Sequence, residues 1–182
     1  MKKIELKIRT YPDPVLRKKA QRVVKVVEEH RAIISGMAKL MYSSSGIGLA
    51  APQVGISLSM ITVDCGLGLY KLINPKILKK EGQQAIEEGC LSVPGVCVKV
   101  RRARKIVVQA QDEYGKLLNI EAEDLFACVI QHEMEHLRGG LIIDHASFLE
   151  KLKMKKNLVH LKTKAGYERL PESETKSCKL QL

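Results

Sequence analysis

The chain contains 182 residues, enough for one domain with a buried core, and 45% of them are hydrophobic although only two are Phe, five are Tyr and none is Trp. The formal net charge of +11 predicts attraction to polyanions such as RNA, unless the charge serves solubility alone. No apolar run approaches the roughly 20 residues that span a bilayer, and the first residues lack the hydrophobic segment of a signal peptide, so the sequence argues against a membrane or secreted protein and predicts a soluble, cytoplasmic one.

The first half of the chain predicts one helix followed by two strands. Apolar residues at helical spacing predict a helix from Val26 to Met41, and Ser43-Ser-Ser-Gly46 would end it. Short apolar runs predict strands from Leu58 to Asp64 and from Tyr70 to Ile73.

The second half begins with a predicted hairpin. A strand rich in β-branched residues runs from Lys105 to Asp112, a turn covers residues 112–115, and a return strand runs from Lys116 to Ala122. Asp124 is predicted to cap a helix that reaches about Arg138 and stops at Gly139-Gly140. A last helix is predicted over about Ser147 to Lys164.

The order of these elements predicts the fold class. Strands cluster between two long helices, which is typical of a small α+β domain with a mostly antiparallel sheet. Residues 1–166 are predicted to form this single domain, and residues 167–182 a polar, flexible C-terminal tail.

The strongest chemical motif is His132-Glu133-Met134-Glu135-His136. On a helix, positions i and i+4 share a face, so both imidazoles can bind one metal ion, with Glu133 placed to take a proton from a water beside it. A solvated helix face rich in His and Glu is the alternative. Against this alternative, one stripe of the helix carries apolar residues first and the proposed ligands next, as expected for a metal ion at the edge of an apolar pocket. The stripe consists of Leu125, Cys128, Val129, His132, Glu133 and His136.

Two histidines leave a catalytic metal one protein ligand short. The candidates are the other histidines, the acids and the five cysteines, an odd number without a C-x-x-C pair, which indicates free thiols in a reducing compartment. Cys90 stands out because Gly89 lets the backbone pass close to an ion, although such a cysteine can also be a small buried hydrophobe. Cys128, one turn before His132, fits a pocket wall better, but the residues alone do not exclude it as a ligand.

A third segment, Gly46-Ile-Gly-Leu-Ala-Ala-Pro-Gln-Val-Gly55, is nearly free of charge and contains one amide side chain. It can be a tight turn packed under a strand. It can also be a backbone strip that pairs with a peptide, with Gln53 as a hydrogen-bond donor.

Together, three segments resemble the peptide deformylase family: Gly46-Ile-Gly-Leu-Ala-Ala-Pro-Gln53, Glu88-Gly-Cys-Leu-Ser92 and Gln131-His-Glu-Met-Glu-His-Leu137. They occur in the family's order, and the likeness extends from about Tyr11 to about Ser147. The resemblance implies a small α+β domain around a central metal-binding helix. It also implies hydrolysis of the N-formyl group from the N-terminal formylmethionine of newly made polypeptides, with release of formate.

The resemblance also implies roles for individual residues. The implied metal ligands are Cys90, His132 and His136, and Glu133 is the general acid/base. Gln53 and the backbone N–H of Leu91 stabilise the oxyanion. The peptide would be bound by the backbone of Ile47 and Gly48, and its methionine side chain by walls made of Ile86, Glu88, Leu125, Cys128 and Val129.

The implied cofactor is one divalent ion, usually Fe²⁺, with Zn²⁺, Ni²⁺ or Co²⁺ as substitutes. The residues do not choose among them, because a Cys/His/His set also suits zinc. Two positions depart from the family's pattern. Cys97 stands where many relatives carry an arginine near the substrate's downstream residues, and Glu135 stands where Asp is more common, on a face where we expect only a structural effect.

The implied partners are formyl-methionyl nascent peptides, with the ribosome as a further one. From Ala146 to Leu182 there are nine basic and four acidic residues, which favours RNA contact. Leu149, Leu152 and Val159 recur at helical spacing and predict a face packed on the domain. The alternative for this segment is a solvated helix with a frayed tail that contacts no RNA.

Two other interpretations remain open at this stage. One is a zinc endopeptidase that uses His145 as its third ligand, although the spacing is short and Cys90 would be unexplained. The other is a basic RNA-binding module with a dead site, which the complete set of motif residues argues against.

Overall fold

In a computed structural model, which describes residues 5–163 and Leu182, the chain alternates short helices with antiparallel strands. The α-helices are α1 (Glu28–Ser43), α2 (Asp124–His136), α3 (Phe148–Lys153) and α4 (Lys155–Lys162). The strands are β1 (Gly48–Ala50), β2 (Met60–Val63), β3 (Tyr70–Glu81), β4 (Gln84–Glu88), β5 (Val98–Arg102), β6 (Lys105–Gln111) and β7 (Leu117–Glu123). Short 3₁₀ helices cover Pro14–Arg17, Ala51–Val54 and Ile142–Asp144.

Five strands form the main sheet in the order β1-β2-β3-β6-β7, and β4 pairs with β5 in a second sheet. Every one of these pairings is antiparallel, as predicted. The strand β6 alternates buried and half-buried residues, which directs Ile106, Val108 and Ala110 inward. Register shifts in β3 between Ile73 and Lys76, around Pro75, allow one long strand to follow the sheet's curvature.

The helix α2 lies against the inner face of the main sheet. Its Phe126, Val129 and Ile130 belong to the same buried cluster as Ile61 and Val108 of the strands. Ten of its thirteen residues are buried, so the buried surface of α2 is wider than the single stripe that the sequence predicted. A helix buried nearly all round places the whole His132–His136 motif inside the protein.

Most predicted elements are confirmed within a few residues, and three differ. The strand that begins at Tyr70 continues to Glu81, well past the predicted end at Ile73. The residue at the N-cap position of α2 is Glu123, and Asp124 instead accepts a hydrogen bond from Arg104 at 2.8 Å. The helix predicted over Ser147 to Lys164 is two helices, because the chain turns at Met154, which is buried.

The predicted packing of the C-terminal helices is wrong. Leu149, Leu152 and Val159 were expected to face the domain, but they are 68%, 58% and 50% exposed. Met154 and Leu161 are buried in their place, in a cluster with Leu141. The break between α3 and α4 rotates the second helix and changes which residues face inward.

Residues 164–181 lie outside the described part of the chain, and with them most of the tail predicted at 167–182. No helix of the described residues is long and apolar enough to cross a membrane.

Candidate active site

Three buried side chains meet at one point: His132 and His136 of α2, and Cys90, two residues after the end of β4. Cys90 Sγ lies 3.3 Å from His136 Nε2, which lies 3.2 Å from His132 Nε2. One ligand atom from each residue falls within 4.8 Å of the other two. All three residues are at most 2% exposed. The helix supplies both histidines at i and i+4, and β4 delivers the cysteine to the same point.

Cys90 is held in place by its backbone and by a neighbouring amide. Its carbonyl accepts a hydrogen bond from the Val93 N–H at 2.9 Å, which forms a tight turn. Gln53 Nε2 donates to Cys90 Sγ at 3.6 Å. Burial, and then the nearby Glu133 carboxylate, raise the pKa of the Cys90 thiol. A cation at this point would reverse that effect, because it favours the thiolate.

A carboxylate orients the first histidine. His132 Nδ1 lies 2.9 Å from Glu88 Oε2, which directs His132 Nε2 toward Cys90 and His136. Arg102 donates to both oxygens of Glu88, at 2.7 and 2.8 Å. Burial alone would raise the pKa of Glu88, but the hydrogen bonds from Arg102 and His132 outweigh it and lower the pKa to about 2. Glu88 is therefore ionised at neutral pH.

Burial favours the neutral form of His132 and His136. Burial lowers the pKa of His132, and burial followed by the neighbouring His132 lowers that of His136. A neutral imidazole is the form that binds a metal.

Glu133 has its own environment one residue along α2. Both of its carboxylate oxygens are buried and accept no hydrogen bond from the described residues. Burial, and then the charge of Glu88, raise its pKa well above the usual value. A buried acceptor without a partner beside three ligand atoms fits a site that holds a divalent ion and a water. Cys, His and His are also a donor set that such ions prefer.

The segment Gly46–Gly55 brings a donor and a strand edge to the same place. Gln53 is fully buried, and its Oε1 accepts from the Ala50 N–H at 2.7 Å, which turns its Nε2 toward the site. Gly48 to Ala50 form β1, the edge strand of the main sheet. The tight turn is confirmed, since the 3₁₀ helix Ala51–Val54 follows β1, whereas pairing of this segment with a peptide stays a prediction.

Residues 5–152 match the sequence profile of the polypeptide deformylase family. The chain belongs to the polypeptide deformylase family. Members of this family remove the N-formyl group from nascent peptides in a metal-dependent reaction. The resemblance predicted from the three segments is thereby confirmed.

Individual polypeptide deformylases are similar to this chain over most of its length. It is 49% identical over 137 residues to the peptide deformylase of Syntrophomonas wolfei, an alignment that covers 75% of this chain and 90% of that protein. A crystal structure of a peptide deformylase from Legionella pneumophila matches with a TM-score of 0.83 at 38% identity, covering 91% of this chain and 99% of that chain. One from Synechococcus elongatus in complex with actinonin matches with a TM-score of 0.80 at 41% identity, covering 86% and 88%.

The residues predicted to surround methionine lie on two elements, β4 and α2. Val129 belongs to one apolar cluster, Leu125 packs against it, and Cys128 is fully buried beside them on α2. Ile47, predicted to bind the peptide through its backbone, also packs against this cluster. Ile86 is half-buried on β4. The Glu88 carboxylate is hydrogen-bonded to Arg102 and His132.

Leu91, predicted to supply a backbone donor, follows Cys90 directly. Its N–H donates at 3.0 Å to the carbonyl of Leu182. In the structure this donor is therefore occupied by Leu182, and its predicted role toward the substrate stays a prediction.

Other titratable candidates lie elsewhere. His145 is 2.7 Å from Glu135 and is not part of the metal cluster, so it does not act as the third ligand required by an endopeptidase. Cys65, Cys90 and Cys128 carry free thiols, but Cys97 is disulfide-bonded, which corrects the expectation of free thiols throughout.

Sequence reasoning missed Arg102, although a signal was present. Val98, Val100 and Arg102 alternate along β5 and share its buried face. Arg102 also donates to Glu135 Oε2 at 3.0 Å, so Glu135 extends the ion-pair network toward His145.

Proposed function

We propose that Cys90, His132 and His136 hold one divalent ion with which this chain removes the formyl group from the N-terminal methionine of newly made polypeptides. The observation that carries the residue assignment is the convergence of these three buried ligand atoms beside an unpaired Glu133 carboxylate. When bound, the ion supplies Lewis acidity and lowers the pKa of a water toward ~7.

Glu133 moves the proton. Its carboxylate takes a proton from the attacking water and returns it to the amine that leaves as the formyl C–N bond breaks. Formate and a free methionine amine result. The pKa raised by burial suits a group that must both accept and return a proton near neutral pH.

Gln53 and Leu91 bind the oxygen on which negative charge develops. The Gln53 amide is preorganised by its bond from the Ala50 N–H, and the Leu91 N–H is fixed by the turn at Cys90. Donors fixed in this way stabilise charge without reorganisation, and one of them can contribute about 3 kcal/mol.

The substrate lies along the edge strand. We assign the backbone of Ile47 and Gly48 to hydrogen bonds with an extended peptide, since Gly48 begins the edge strand β1 and an open strand edge can pair in this way. The methionine side chain enters the apolar space between α2 and this strand, whose walls we assign to Ile86, Glu88, Leu125, Cys128 and Val129. A cytoplasmic location fits a substrate that leaves the ribosome.

The test of this function is formate release from formyl-Met-Ala-Ser by metal-loaded protein. The matched control is Glu133→Gln, which preserves shape and loses the base. We expect its kcat to fall by ~10²–10⁴-fold with metal content unchanged. Cleavage of an internal peptide bond without formate would instead support an endopeptidase, and equal activity of the two proteins would overturn the role of Glu133.

We assign Fe²⁺ as the native ion. An iron(II) site with a thiolate ligand is exposed to oxidation of both metal and sulfur. Iron-loaded protein should therefore lose activity in air faster than nickel- or cobalt-loaded protein. Elemental analysis of protein purified without oxygen identifies the native ion, and zinc at one equivalent with full activity would contradict the assignment.

We also infer that α3 and α4 contact ribosomal RNA. Lys151, Lys153, Lys155 and Lys156 are exposed on these helices. Phosphate contacts made by such lysines weaken steeply with salt. The double variant Lys151→Glu/Lys155→Glu should co-sediment with ribosomes less than the wild type at low salt. Lys25→Glu/Lys39→Glu changes the net charge equally at exposed positions on and just before α1, and equal loss in both variants would overturn the inference.

A further inference from the structure

One residue far along the sequence lies against the metal-binding loop. The Leu182 N–H donates to the Gly89 carbonyl at 3.3 Å, and the Leu182 carbonyl accepts from the Leu91 N–H at 3.0 Å. The two hydrogen bonds flank Cys90. Leu182 thus pairs with this loop as a residue of an extended peptide pairs with a strand.

The side chain of Leu182 is buried in the apolar cluster of α2. It is 0% exposed, and it belongs to the same cluster as Val129, against which Ile47 and Leu125 also pack. Of these, Val129 and Leu125 are walls that we assign to the methionine pocket, and Ile47 is a residue whose backbone we assign to the peptide. Leucine and methionine have similar volumes and exchange readily in apolar sites. Leu182 therefore satisfies the shape and chemistry that the pocket requires of its substrate.

We propose that Leu182 is an intramolecular competitor of the substrate, holding the methionine pocket and the Leu91 donor until a formylated peptide displaces it. The inference rests on the proposed function, because it takes that pocket and that donor as the substrate's. One backbone N–H cannot bind the Leu182 carbonyl and the formyl oxygen in the same geometry, and one pocket cannot hold two side chains. Binding of Leu182 and binding of substrate are therefore mutually exclusive.

The expected consequence is a raised KM with an unchanged kcat. When only a fraction of the protein is open, the apparent dissociation constant for substrate rises by the inverse of that fraction. Once substrate has displaced Leu182, the catalytic groups are those of the open enzyme. Because the competitor is in the same chain, the effect does not depend on protein concentration.

The test compares Leu182→Asp, Leu182→Met and Leu117→Asp in the full chain. A carboxylate is disfavoured in the apolar cluster, so Leu182→Asp should lower KM for formyl-Met-Ala-Ser by about threefold or more at constant kcat. Leu182→Met should keep the wild-type KM, because methionine fills the same pocket. Leu117, 59% exposed on β7, gives the same change of charge away from the site and should leave KM unchanged.

Two further readouts separate this inference from a structural role and from the proposed function. Amide exchange at Leu91, measured without metal, should be faster in Leu182→Asp than in the wild type. The affinity for formyl-Met-Ala-Ser, measured by calorimetry with the Glu133→Gln change present, should rise with the same substitution. If Leu182→Asp lowers both kcat and thermal stability without lowering KM, the residue is part of the core and the competitor is overturned. If Leu182→Asp binds the peptide more tightly but no protein that retains Glu133 releases formate, the proposed function is wrong while Leu182 remains a competitor for the peptide.

Discussion

The backbone of Gly48 lies so close to Glu133 that a Cβ on residue 48 would stand 2.8 Å from the Glu133 carboxyl carbon. A glycine at this point of β1 lets the edge strand approach the buried carboxylate. The same approach brings the strand to which we assign the peptide within reach of Glu133, to which we assign the proton transfer.

We therefore predict that Gly48→Ala displaces Glu133 and lowers kcat by about 100-fold, because a misplacement of about 1 Å can have that effect. The metal content should stay at one equivalent, since no ligand atom belongs to β1. The control is Gly36→Ala in α1, where the added Cβ meets only the Leu6 side chain. Equal kcat in the two variants would show that the strand yields without moving Glu133.

How far the sequence predicts this site depends on the kind of signal each residue leaves. His132, Glu133 and His136 are spaced by the helix itself, so their common face follows from the sequence. Cys90 reaches them from a separate strand, and physical reasoning alone left Cys128 as an alternative. The resemblance to a family, not the spacing, singled out Cys90.

The fold was predictable where one face of an element is buried and the other is solvated. The helix α1 and the hairpin of β6 and β7 have such faces and were predicted to within a few residues. The apolar residues of the strand β4, Ala85 and Ile86, are adjacent and flanked by polar ones, so no alternation indicated it. The pairing of Leu182 with residues beside Cys90 spans about half the chain, and no local pattern reports a contact of that range.

We predict that Cys90 is a metal ligand and that Cys128 is not. Cys90 Sγ lies in the metal cluster, whereas Cys128 is a buried thiol on α2 whose pKa burial raises to about 11. Cys90→Ala should lose bound metal, as measured by elemental analysis after dialysis. Cys128→Ala should retain one equivalent and lose only the packing of a small group. Metal loss in Cys128→Ala alone would reverse the assignment.

We predict that Arg102 both stabilises the fold and positions His132. Arg102→Leu leaves the buried Glu88 carboxylate without its cation, which should lower the free energy of unfolding by about 3–5 kcal/mol. Since Glu88 orients His132, the affinity for metal should also fall, by about 10–100-fold. Urea unfolding and a metal titration measure the two effects.

The control for Arg102 is another arginine–carboxylate pair. Arg104 donates to Asp124 at 2.8 Å, but both side chains are mostly exposed. Solvent screens such a pair, so Arg104→Leu should change stability and metal affinity little. A comparable loss in both variants would mean that burial does not set the importance of the Arg102 network.

The last prediction concerns a hydrogen bond between α1 and the end of β2, away from the metal cluster. Tyr42 Oη donates to Asp64 Oδ2 at 2.6 Å. This bond, followed by the one from the Gly66 N–H, holds the pKa of Asp64 below its usual value, and the same pairing raises the pKa of Tyr42. A carboxyl group whose pKa is lowered by folding stabilises the folded state at pH values above its unfolded pKa of about 3.9. This stabilisation is lost as the pH falls through the folded pKa.

Tyr42→Phe should therefore be less stable than the wild type at pH 7, and the difference should close in acid. The difference should also close in alkali. A tyrosine whose pKa is raised by folding stabilises the folded state below its unfolded pKa of about 10, and this stabilisation is lost as the pH rises through the folded pKa. Urea unfolding at pH 3, 7 and 11 measures the difference. Tyr114→Phe, at an exposed tyrosine, removes a hydroxyl elsewhere and corrects for effects that both variants share. A difference between the two variants that is the same at all three pH values would contradict the role of this hydrogen bond.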